Sequence, residues 1–124
     1  MDVAFATKKL AKICNSEKEL RKEYGPRMAS VIQTRLSDLA AVEVLAGMSL
    51  LPGRFHELTA NLKGHFALDL VHPDRLVFKP LDDPPPRLEN GAMALAEIRS
   101  VVIVGIGDYH GHRSRCVRRR GCRD

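Results

Sequence analysis

The chain has 124 residues and a formal charge of +5, from 20 Lys and Arg against 15 Asp and Glu. That length suits one domain around one core. No apolar run approaches the about 20 residues that span a bilayer, and an odd count of 3 cysteines argues against a disulfide framework. The opening MDVAFATKKL lacks the basic, apolar, small pattern of a secretory signal, so a cytoplasmic protein is expected. The charge excess belongs to the end of the chain. Within residues 111–124, Arg113, Arg115, Arg118, Arg119, Arg120 and Arg123 stand against Asp124, and the rest of the chain balances acid and base. Such a tail favours polyanions through counterion release.

In chain order, DVAFA (2–6) alternates like a short strand. Thr7 is placed to cap a helix over KKLAKIC, in which Leu10 and Ile13 share a face. Ser16 and Glu19 form a capping-box pattern opening a helical turn through Tyr24. Pro26 suits a first helical position. The spacing of Met28, Val31, Ile32, Leu36, Leu39 and Val42 predicts a long helix from about Arg27 to Leu45.

Beyond the LPGR turn (51–54) the period becomes twofold. RFHEL (54–58) is a predicted strand. HFALDLV (65–71) alternates Phe66, Leu68 and Leu70 against His65, Ala67 and Asp69. His72-Pro73-Asp74 turns the chain into RLVFKP (75–80), making a hairpin. DDPPPRLENGA (82–92) is a predicted exposed loop, and IRSVVIVGI (98–106) a central strand. Beyond residue 110 no apolar periodicity remains, and that segment is expected to be mobile. The fold class is α+β, with a short N-terminal strand and helices packed on a mainly antiparallel sheet of four to five strands. The expected division is a domain over 1–110 and a basic tail over 111–124.

Neither a phosphate-binding glycine loop nor a zinc-protease motif is present. Titratable residues are scattered over the strand half: His56 within RFHEL, Lys63 in NLKG, His65, Arg75 opening RLVF, and Asp108, Tyr109 and His110 after the last strand. Taken singly, each has a plain structural explanation. Arg75 pairs as readily with Asp69 or Asp74 as with a ligand, and a turn lysine is usually just solvated. His110, His112, Cys116 and Cys122 offer zinc-ligand types, but their spacing fits no known zinc pattern.

Several separated motifs then occur in order: KKLAKIC, YGPRM, RLSDL, LPGRFHEL, KGHFALDL, HPDRLVFKP and DYH. Over about residues 1–110 they resemble the RelE/HigB-like toxins, a family of plasmid maintenance system killer proteins. The resemblance implies a RelE-like α+β domain that cleaves mRNA on the translating 70S ribosome without a metal or other cofactor. It also implies inhibition by a helix-turn-helix, HigA-like antitoxin, with operator DNA contacted only through that partner. By the same resemblance His56, Arg75, Asp108, Tyr109 and His110 are the catalytic set. Lys63 keeps the basic residue of the later K-G position, and Arg54 and, in the basic tail, Arg113 are the further cations expected to contact RNA.

The implied chemistry is attack of the RNA 2′-hydroxyl on the adjacent phosphorus. Histidine titrates near neutrality and serves as acid or base, so His56 and His110 are the expected proton-transfer pair. Arg75 would hold the phosphate with its planar fork. Tyr109 would orient the nucleotide and Asp108 would hold a neighbour. Two departures stand out. Thr59 occupies the position of an early lysine, and Gly105 and Gly107 replace bulkier strand residues. A toxin-fold module with weakened cleavage, acting through its antitoxin, is the alternative. A stand-alone repressor lacks a helix-turn-helix signature.

Overall fold

The computed structural model describes residues 1–59 and 62–107. The N-terminal half is helical. β1 (Asp2–Phe5) leads through Thr7, whose Oγ1 accepts the Leu10 N–H at 3.1 Å, into α1 (Lys8–Cys14). Ser16 Oγ accepts from Glu19 N at 3.2 Å and starts α2 (Glu17–Tyr24). Only that half of the capping box forms, because the Ser16 N–H is already given to the Ile13 carbonyl at 3.3 Å.

Gly25, at φ 89°, and Pro26 then turn the chain into α3 (Pro26–Ala41). This helix is shorter than its period predicts. Val42 is extended, and a 3₁₀ turn over Leu45–Leu50 buries Leu45 and Met48. The Leu45 N–H bonds to the Ile98 carbonyl at 2.9 Å. That tertiary partner competes with continuation of the helix, and the apolar spacing survives the change of backbone.

The sheet has five strands in the order β1-β5-β4-β3-β2, with β2 at His56–Glu57, β3 at Phe66–Asp69, β4 at Arg75–Pro80 and β5 at Ser100–Gly107. β1 runs parallel to β5, and the other three pairings are antiparallel. β4 coincides with the predicted strand, whereas β3 stops earlier because Leu70 and Asp74 close the hairpin by a 3.0 Å backbone bond. β2 shrinks to two residues, since Arg54 before it adopts φ 51°, which no ladder accommodates. The 82–92 loop is exposed over most of its length, as predicted.

Alternation sorts the two sheet faces. Phe66, Leu68, Leu76, Phe78 and Ile103 are buried with Leu20, Ile32, Leu39, Leu45 and Met48 in the main core. Phe55, Phe66 and Phe78 stack there, with centroids 5.2 to 6.3 Å apart. The opposite face carries a small second cluster of Leu58, Leu62, Ala67 and Val77, against which Val104 packs. A bulge falls between Val77 and Phe78, where the partners skip from Gly105 to Ile103. Among the described residues no helix is long and apolar enough to cross a membrane.

Candidate functional site

Register brings His56 and Arg75 to one face. His56 lies opposite Ala67 in β3, and Asp69, two residues on, lies opposite Arg75 in β4. Directly paired residues share a face and so do residues two apart. His56, Ala67, Asp69 and Arg75 therefore all project from the face carrying the second cluster. On its other side Arg75 lies opposite Gly107, which presents no side chain to crowd the guanidinium.

His56 and Arg75 wall a cleft of roughly 270 Å³, lined also by Arg54, Glu57, Leu58 and Thr59. The His56 Nδ1 is 2.6 Å from the Arg54 carbonyl oxygen. A carbonyl carries no proton, so Nδ1 must be the donor and the lone pair of the neutral ring lies on Nε2. His56 thus has one nitrogen committed to orientation and one able to exchange a proton.

Asp69 organises the cations. Its Oδ2 is 3.2 Å from Arg54 Nη1 and its Oδ1 is 3.4 Å from Arg75 Nε. Its backbone carbonyl accepts from Arg35 Nε of α3 at 3.2 Å, and its N–H donates to Gly53 at 2.6 Å. Arg35 also approaches Asp38 at 4.0 Å. Asp69 is shared between Arg54 and Arg75, and Glu57 on the cleft wall adds a second carboxylate, so the two guanidiniums are balanced in formal charge. Arg54 is largely exposed at 74 % and Arg75 largely covered at 17 %, so Arg75 is the better fixed of the two.

Of the cations expected to touch RNA, Arg54 lines the cleft, while Lys63 is exposed in the turn before β3 and does not. Thr59, in place of the early lysine, is part of the wall. Asp108, Tyr109, His110 and Arg113 lie outside the described residues, as do His112, Cys116 and Cys122 of the zinc-like set. Among the described residues no group of three His, Cys, Asp or Glu is disposed to hold a metal. Asp69 and Arg35 escaped the sequence-based site. Alternation already put Asp69 on the face of His65 and Ala67, but a carboxylate opposite an arginine reads as an ordinary ion pair. Nothing in the helical pattern singles out Arg35.

Comparison with protein-family models, with curated proteins and with solved structures finds no match.

Proposed function

We propose that the chain is a RelE/HigB-like toxin, an endoribonuclease that cuts mRNA on the ribosome in the cytoplasm and is restrained by a helix-turn-helix antitoxin. The observation that carries this is the meeting of His56 and Arg75 in one cleft, with Gly107 opposite Arg75. Gly107 immediately precedes Asp108, Tyr109 and His110 in the sequence.

In the proposed reaction one imidazole removes the proton of the RNA 2′-hydroxyl, and the oxygen attacks the adjacent phosphorus. Arg75 binds the equatorial oxygens of the phosphorane, where negative charge grows. The second imidazole protonates the departing 5′-oxygen as the P–O5′ bond breaks. The products are a 2′,3′-cyclic phosphate and a 5′-hydroxyl. His56 acts through Nε2 whichever role it takes, because Nδ1 is held by the Arg54 carbonyl. Tyr109 orients a base by stacking or through its hydroxyl, and Asp108 positions a neighbour. Arg54, Lys63 and Arg113 add affinity for the phosphate backbone. No metal is used in this scheme.

Induction in cells, followed by mapping of mRNA 5′ ends, tests the proposal. New ends within translated regions, absent with Arg75→Ala, are expected. Growth arrest or silence without new ends would count against it. The second reading, a binding module with weakened cleavage, is favoured by Thr59 and Glu57 on the cleft wall, since neither attracts phosphate. It predicts binding to the antitoxin without new mRNA ends.

A further inference from the structure

We infer that Asp69 is a positioning residue that aims the Arg75 guanidinium into the cleft and ties the Gly53–Arg54 loop to the same point. The inference rests on the cleft being a phosphate site, and adds a group that the sequence marked only as an ion-pair partner for Arg75.

The geometry is that of a clamp. Asp69 ends β3 directly opposite Arg75, and its Oδ1 faces Arg75 Nε at 3.4 Å. That oxygen is shielded from solvent and has no directed hydrogen bond, so the ion pair with Arg75 is its compensation. Engaging a guanidinium through Nε leaves its two terminal nitrogens for a second oxyanion, the fork that a phosphate fits. The Oδ2 holds Arg54 at 3.2 Å, beside a backbone with φ 51° that a non-glycine residue adopts only when its surroundings impose it. The Asp69 N–H and carbonyl fix Gly53 and Arg35. Both the guanidinium that would meet the phosphate and the carbonyl that orients His56 are thereby referred to one residue.

The sign of the effect separates positioning from plain stability. Asp69→Asn keeps the shape but removes one negative charge a few ångströms from the anion site. Affinity should then rise about threefold, by the attraction no longer cancelled. The rate of the chemical step should fall by about tenfold or more, because the fork is no longer aimed. A residue that only supports folding would lower affinity and rate together.

The test uses the full chain and three readouts. Affinity for inorganic phosphate and for an mRNA with a 2′-deoxy nucleotide at the cut site reports binding. Single-turnover cleavage on the ribosome reports chemistry, and the Arg75 Nε–Hε nuclear resonance reports the pair itself. Asp69→Asn is expected to shift that resonance, tighten affinity about threefold and slow cleavage. An unmoved resonance, an unchanged rate, or equal losses of rate and affinity would overturn the inference. If Asp69→Asn does not fold, Asp69→Glu, with the charge one methylene farther out, carries the test. Its rate should fall at least about threefold with affinity held, and a wild-type rate overturns the inference. If the wild-type chain cleaves nothing, the cleavage proposal falls alone. Asp69 is then judged by the resonance and the phosphate affinity, which must move as stated.

Discussion

Arg54 and His56 form one local device. The Arg54 carbonyl, on a residue with left-handed φ, lies 2.6 Å from His56 Nδ1, and that bond leaves the lone pair of a neutral ring on Nε2. Arg75→Lys probes the guanidinium beside it. Lysine keeps the charge but loses the fork, so RNA affinity should fall only a few-fold while cleavage drops by about 100-fold, measured by single-turnover rates. Equal rates for the two proteins would deny Arg75 its role. Cys14 gives a prediction of a different kind. Burial pushes its thiol from 9.0 up to about 11. The folded state therefore holds the proton more tightly than the unfolded chain, and that stabilisation is complete below pH 9 and lost as pH rises to about 11. Denaturant unfolding between pH 8 and 11 should show wild type losing about 2 kcal/mol more than Cys14→Ala. Parallel pH profiles would show that the thiol is not shielded.

At the scale of elements, local chemistry accounts for the strands and helix starts, and tertiary contacts account for the places where prediction and structure part. Thr7 and Ser16 cap as their side chains dictate, and β4 runs over Arg75–Pro80 as alternation and the His72-Pro73-Asp74 turn require. The end of α3 was not legible, because the Ile98 carbonyl that receives the Leu45 N–H comes from a distant part of the chain. β2 was overestimated for the same kind of reason. The φ of Arg54 is maintained by Asp69 and by the Gly53 corner, contacts that no window around residue 54 contains. His56 and Arg75 were named as candidates through the family resemblance and Asp69 only as one of two ion-pair partners for Arg75, and the register of β3 on β4 decides for Asp69. Gly53 is the sensitive point of that corner. It has φ 115°, and an added Cβ would stand 2.9 Å from Arg35 Nε. Gly53→Ala should cost about 2 kcal/mol in urea unfolding and slow cleavage as well. Wild-type stability in this variant would mean that the loop relaxes freely.

Across the whole molecule, the helices and the sheet's buried face supply the core, and the opposite face carries a small apolar cluster together with His56, Asp69 and Arg75. That division keeps the cleft apart from the core, since His56 and Arg54 contribute nothing to the buried core. In the proposed reaction two imidazoles and one guanidinium act on a single phosphodiester. The most direct measurement is the chemistry of the cut ends after single-turnover cleavage of mRNA on the ribosome, by wild type, His56→Ala and His110→Ala. A 2′,3′-cyclic phosphate and a 5′-hydroxyl are expected from wild type, with each histidine variant slower by at least about 100-fold. Ends bearing a 3′-hydroxyl and a 5′-phosphate, or an undiminished rate in His56→Ala, would contradict the proposed reaction.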